Sequence, residues 1–153
     1  MDQPLPYLER VKIQAEILIP LYHRLCAELG EARAGELVRG AVREYAEQLG
    51  RSAAERHGGG SLAILKAIVP AFTAGHALDI EPLVDDQHDL EFNVRGCRYA
   101  DYFRSIGEPV LGAMLTCEID PPLTAGIGAD LKLERTQTIL TGGSHCDFHW
   151  SQD

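Results

Sequence analysis

The chain has no surplus of positive charge, no long apolar run, no closely spaced cysteine pair and no internal repeat. Each absence removes a class of protein. Against 23 Asp and Glu stand 14 Lys and Arg, a formal charge of −9, which argues against nucleic acid because phosphate contacts need clustered cations. The same balance disfavours an anionic membrane surface. The most apolar stretch, Leu62 to Phe72, is short and interrupted by Lys66 and Pro70, well below the ~20 apolar residues of a spanning helix. Met1-Asp2-Gln3-Pro4 lacks the basic start of an export signal. The expectation is therefore a cytoplasmic protein with Cys26, Cys97, Cys117 and Cys146 as reduced thiols. No CxxC occurs, so a zinc ribbon or thioredoxin motif is excluded. Nothing recurs at a fixed period.

What remains is an ordinary globular composition, 45% hydrophobic and 24% charged over 153 residues, enough for one domain with a real core. The chain divides into a helical half, residues 1–76, and a sheet-bearing half, 77–153. Val11, Ala15, Leu18, Tyr22, Leu25 and Leu29 step by fours and threes as one helical stripe, with Pro20 inside it as an expected kink. Val38, Val42, Tyr45 and Leu49 mark a second helix beyond Gly30, antiparallel to the first. Gly58-Gly59-Gly60 breaks the pattern, and Ser61 is a candidate N-cap for a third helix ending near Gly75. Alternation then replaces the helical period. Leu78 and Ile80, then Leu90, Phe92 and Val94, flank the polar turn Asp85–Asp89 as a hairpin. Tyr99, Phe103 and Ile106 suggest a short helix closed by Gly107. Pro109 opens another, which Pro121-Pro122 is expected to end near Ile119 by extending Asp120.

A last hairpin reads as a strand from Leu131 to Leu140, a Gly142-Gly143 turn and a return strand from His145 to Trp150. That register sets Ile139 opposite Cys146, Gln137 opposite Phe148 and Arg135 opposite Trp150. One face then carries Arg135, Gln137, Cys146, Phe148 and Trp150; the other carries Thr136, Thr138, His145, Asp147 and His149. The fold class is α+β: an N-terminal helical layer packed on an antiparallel sheet that ends in a C-terminal hairpin.

Arg135 is the sharpest anomaly, since a core-facing guanidinium must find an anion or an aromatic face. It either pairs with Glu118 or Asp120, stacks on Trp150, or anchors a substrate carboxylate. Cys117 and Asp120 stand three residues apart at a helix end, where the dipole opposes a carboxylate and leaves Asp120 a candidate acid or base. Cys146 is either a small buried hydrophobe or a nucleophile. His23 on the first helix is a candidate partner. His145-Cys146-x-x-His149 resembles a metal cluster in text, but on a strand its ligands diverge. A zinc site from Cys97, Cys117 and Cys146 escapes that objection.

Arg10-Val-Lys-Ile through Pro20-Leu-Tyr, Cys97-Arg-Tyr-Ala, Cys117-Glu-Ile-Asp120, Arg135-Thr-Gln-Thr and Gly142-Gly-Ser-His-Cys146-Asp-Phe together resemble the L-2-amino-thiazoline-4-carboxylic acid hydrolase family. The Gly-Gly…Cys-x-Phe signature is also similar to 4-vinyl reductase-type ligand-binding domains. The resemblance implies a hydrolase that opens a small cyclic amidine-like ring carrying a carboxylate, at a non-peptide C–N bond and without a cofactor. It carries Cys97, Cys117, Asp120, Arg135 and Cys146 over as site positions. Cys146, Asp120 and Cys117 are the catalytic candidates; Arg135 and Cys97, with His23, are the substrate-binding ones. His149 departs from the Arg that often follows Asp-Phe in such proteins, which bears on the substrate. The alternative is a non-enzymatic small-ligand or zinc-binding sensor. The paired N-terminal helices are a candidate homodimer interface.

Overall fold

The computed structural model describes residues 5–153; Met1 to Pro4, read above for lack of an export signal, lie outside the described residues. Two long helices come first, α1 (Tyr7–Leu29) and α2 (Glu31–Arg56), joined at Gly30. Gly30 has φ +83, a conformation in which a side chain would be strained, so the chain can reverse within one residue. α1 runs unbroken through Pro20, which lies on its exposed side. α3 (Ser61–Thr73) follows, then the hairpin of β1 (Leu78–Asp85) and β2 (Asp89–Cys97). Its turn is held by Asp86, whose Oδ1 accepts from the amides of His88 and Asp89. α4 (Arg98–Ser105) and α5 (Pro109–Gly112) lead into a wide turn, Ala113–Cys117, and α6 (Asp120–Ile127). β3 (Leu131–Glu134) and β4 (Cys146–Gln152) complete the sheet. All its pairs are antiparallel, in the order β1-β2-β4-β3. The helical layer and the sheet share one core, and the α+β expectation holds. Among the described residues no single helix is long and apolar enough to cross a membrane.

Several local expectations change. The stripe on α1 is buried at Val11 and Ala15, but the flanking Ile17 and Leu21 are exposed. α2 buries small residues most deeply, Ala34, Ala46, Gly50 and Ala53, while Val42 and Leu49 of its apolar stripe pack half-buried against the core. The reason is its crossing with α6: a Cβ on Gly50 would stand 2.3 Å from the Leu123 carbonyl oxygen, and one on Gly126 would stand 2.2 Å from that of Glu47. Two backbones in contact leave no room for side chains. Ser61 does not cap α3; Gly60 holds that position, and the Ser61 hydroxyl donates to Asp130 at 2.6 Å.

Pro121 and Pro122 start a helix instead of ending one. They fill the first turn of α6, where proline's missing N–H costs nothing and its φ is already helical. The terminal hairpin is shorter than its pattern. β3 stops at Glu134, and Leu133 faces Trp150, a register two residues from the expected one. A shift of two keeps every β4 side chain on its expected face. Residues 135–145 form a broad connection, not a two-residue turn.

Candidate functional site

The core-facing side of β4 carries Cys146, Phe148 and Trp150 at alternate positions. Phe148 and Trp150 stack at 4.9 Å and 7°, and the Trp150 Nε1 donates to Thr124 Oγ1 at 2.9 Å. Val94 and Phe92 of β2 stand opposite Cys146 and Phe148. Over this floor lie Leu65, Ile68 and Phe72 of α3, with Tyr7 of α1 at the side. Together they line a partly open cavity of about 100 Å³ whose wall is mostly aliphatic and aromatic.

One end of that cavity is polar. Arg135 follows β3 directly, and its Nη1 donates to Asp120 Oδ2 at the start of α6. Its Nη2 donates to the Cys117 carbonyl at 3.0 Å, and its guanidinium carbon lies 5.2 Å from the Phe148 ring centre. The pair is 13% and 19% exposed, so neither charge is well hydrated. Burial lifts the Asp120 carboxyl up to about 6, against the opposing pull of Arg135. The site is thus a single ion pair set into an apolar wall, with the carboxyl close to its titration point at neutral pH. Of the partners considered from sequence, Asp120 holds Arg135, and Trp150 does not. Glu118 pairs with Arg39 at 2.7 Å. The dipole argument about Asp120 is also reversed, because the first turn of α6 favours a carboxylate. Desolvation is what raises it.

Cys97, Cys117 and Cys146 line the same cavity. Burial pushes Cys97 up to about 11 and raises Cys117 and Cys146 as well, so all three are neutral thiols at pH 7. Two also do structural work. Cys146 Sγ accepts from the Ile139 amide at 3.3 Å, and Cys97 Sγ accepts from the Ala100 amide at 3.4 Å. Among the described residues no group of three or more His, Cys, Asp or Glu is placed to hold a metal ion, which goes against the three-thiolate zinc alternative. His145 and His149 turn away from the cavity, His149 to Asp89 at 2.7 Å and His145 to the Ser144 hydroxyl. His23 is not brought to the cavity either; it is 58% exposed and pairs with Glu108 at 2.7 Å.

Alternation fails beyond Glu134, and two side chains move accordingly. Thr138, expected outward, is buried in the cavity wall, while Gln137, expected inward, accepts from the Ser144 amide instead. The cause is Asp147, which sequence reasoning passed over. Its carboxylate accepts from the Thr136 hydroxyl and the Thr136 and Gln137 amides, replacing ladder bonds with side-chain ones. Burial works to raise this carboxyl, but those bonds outweigh it and hold it low. Tyr7 and Tyr99 were also missed as cavity residues. The Tyr99 hydroxyl donates to the Phe72 carbonyl at 2.9 Å. Its signal was its place beside Cys97; Tyr7 left none.

The sequence model of the L-2-amino-thiazoline-4-carboxylic acid hydrolases matches residues 10–150, a span that contains the whole cavity lining except Tyr7. The chain belongs to this family. No curated protein matches it. Among solved structures this family member is similar to the phenol-responsive sensory domain of the transcription activator PoxR, determined with phenol. The two are 17% identical with a TM-score of 0.55, over 88% of this chain and 72% of that one. It is also similar to a trafficking protein particle complex subunit 3 from Naegleria fowleri, covalently bound to palmitic acid. That pair is 13% identical with a TM-score of 0.49, over 93% and 96%. The PoxR likeness shows a shared fold.

Proposed function

We propose that the cavity is the substrate site of a hydrolase that opens a small cyclic amidine-like ring, of the 2-aminothiazoline-carboxylate type, at a C–N bond. The observation that carries this reading is the buried Arg135–Asp120 pair at one end of an apolar cavity, in a chain of this family. Arg135 offers two N–H donors to a ring carboxylate. The flat ring lies against Phe148 and Trp150. Asp120, near 6, supplies the proton that a leaving ring nitrogen needs.

Between thiol and water as nucleophile, the site favours water. A thiolate is the reactive form of cysteine, and burial holds all three cavity thiols protonated. Water adds across the C=N bond, its oxygen to the carbon and one proton to the nitrogen. The ring C–N bond then breaks as the nitrogen takes the Asp120 proton, and the new hydroxyl becomes C=O by returning its proton to the Asp120 carboxylate. Cys146, Cys117 and Cys97 then shape the wall. Incubation with 2-amino-thiazoline-4-carboxylate, followed by mass spectrometry for ring opening, tests this directly. Turnover lost in Asp120→Asn supports it.

A second reading, a ligand receptor without catalysis, draws on the preponderance of apolar wall and on the fold shared with PoxR's phenol-responsive domain. Tight binding of the thiazoline without turnover would favour it. For assembly, we propose a homodimer through α1 and α2, because Ile13, Ile17 and Leu21 stay exposed beside the apolar groove between these helices. Light scattering should give twice the chain mass, falling to one for Ile17→Glu; a monomeric wild type would refute it.

A further inference from the structure

We propose that a ligand enters the cavity as an anion and takes the place of Asp120 on Arg135, and that Asp120 takes up one proton from solvent as it is displaced. This rests on the small-molecule site proposed above and adds the charge state in which that site is filled.

The geometry sets up the exchange. Among the described lining residues Arg135 is the one cation and Asp120 the one carboxylate, so the cavity is neutral when empty. A second anion at Arg135 would leave one uncompensated negative charge among Phe148, Trp150 and the α3 side chains. An apolar surround penalises that heavily. Relief must come from a group that can change its charge in the neutral range.

α2 packs on α6 but supplies no residue to the cavity lining, so such a group must come from the other elements around Asp120. α1 contributes Tyr7 and the start of α4 contributes Tyr99, both raised by burial and both neutral. Cys97 at the end of β2, Cys117 before α6 and Cys146 on β4 are raised too, and also neutral. α3 presents aliphatic and aromatic side chains with Thr73. Asp120 alone is poised to titrate, because burial already outweighs Arg135. When an anion claims the guanidinium, Asp120 loses both the charge and the hydrogen bond that hold it down, and gains a like charge beside it. Its carboxyl then takes a proton from solvent.

In the hydrolase reading this step arms the acid: the arrival of the substrate carboxylate at Arg135 makes Asp120 take up from solvent the proton that the leaving nitrogen later receives. A neutral ligand gives Arg135 no reason to release Asp120 and draws no proton.

Two probes of one shape separate these cases: 2-furoate, a five-membered ring with one carboxylate, and its neutral amide, 2-furamide. Isothermal titration between pH 5.5 and 8 should show the furoate Kd weakening about tenfold per pH unit above about 6, with the furamide Kd unchanged. At pH 7.5, runs in phosphate and in Tris should report uptake of close to one proton per furoate. In Asp120→Asn the furoate affinity should lose its pH dependence. Furoate binding with a flat Kd, or with no proton uptake by the wild type, overturns the exchange and leaves the small-molecule site intact. So does binding of furamide without furoate at pH 5.5. If neither probe binds at any pH, the small-molecule site fails and the exchange with it. Should Asp120→Asn not fold, the wild-type proton count decides alone.

Discussion

At the scale of single residues the molecule turns on an asymmetry between the two members of its buried pair. A carboxyl left without its cation can escape by protonation; a guanidinium left without its anion cannot. Arg135→Met should therefore cost only about 1–2 kcal/mol, because Asp120 becomes neutral. Asp120→Leu leaves a charge stranded beside Phe148 and should cost about 3–5 kcal/mol. Urea unfolding at pH 7 measures both, and equal losses would show that Arg135 reaches solvent. Asp120 also predicts a pH dependence with a definite sign. Its folded carboxyl, near 6, is raised above the unfolded value of about 3.9. Between those values the native state keeps a proton that the unfolded chain has released, so stability falls as pH rises from about 4 to about 6, and levels off above. The total is on the order of 3 kcal/mol. Asp120→Asn should lack that component, so the wild type's stability relative to the variant should decline across this window. A constant difference from pH 4 to pH 7 would mean that Asp120 is not raised.

At the scale of elements, small and polar residues decide what the apolar pattern leaves open. Gly126→Ala puts a methyl into the Glu47 carbonyl, forces α2 and α6 apart and should cost about 1–3 kcal/mol in denaturant unfolding. Asp147→Ala frees the two amides it holds and should cost a similar ~1–3 kcal/mol. It should also speed hydrogen exchange at Thr136 and Gln137 while leaving β1 and β2 protected. Unchanged exchange there would show that the segment does not depend on the clasp. These two sites also mark the limit of what the sequence makes legible. The first hairpin, three of the helices and the facing of Cys146, Phe148 and Trp150 follow from periodicity, because period 2 and period 3.6 are properties of the chain itself. α2 is the helix that its Val and Leu stripe predicts, but that stripe is louder than the Gly and Ala face that makes the tight crossing. Pro121-Pro122 was ambiguous in principle, since the same pair that ends one helix can open the next. The hairpin length was hidden because a side chain, Asp147, competes with the backbone ladder, and alternation cannot report that. Cys97, Cys117, Asp120, Arg135 and Cys146 were nameable in advance, and distant thiols beside a helix-end acid already pointed to one shared cavity, which they line. The burial that keeps the thiols neutral is a tertiary fact.

At the scale of the whole molecule, the cavity lies where α1, α3, α6 and both hairpins meet, so its contents should govern the stability of the entire chain. A ligand that binds only the folded state adds RT ln(1 + [L]/Kd), about 2.7 kcal/mol at a hundredfold excess over Kd. For a chain of this size that corresponds to a rise in Tm of roughly 5–10 °C. A void of about 100 Å³ is also a standing loss of packing contacts. Filling it from the protein side should recover part of that loss and remove the binding site in the same step. Ile68, half-buried on the α3 wall, is the position to test. Ile68→Phe adds a ring on the α3 wall of the cavity, an element that contributes nothing to the Arg135–Asp120 pair or the Asp147 clasp. The variant should melt at or above the wild-type temperature without ligand, and should show no ligand-induced shift. A residue needed only for packing would behave differently, since overfilling a tight core lowers Tm by the strain it introduces. Scanning calorimetry of the two proteins, with and without 2-amino-thiazoline-4-carboxylate, separates the outcomes. A variant that melts well below the wild type shows that the space is not available to a ring. One that still shifts with ligand shows that the ligand binds somewhere else.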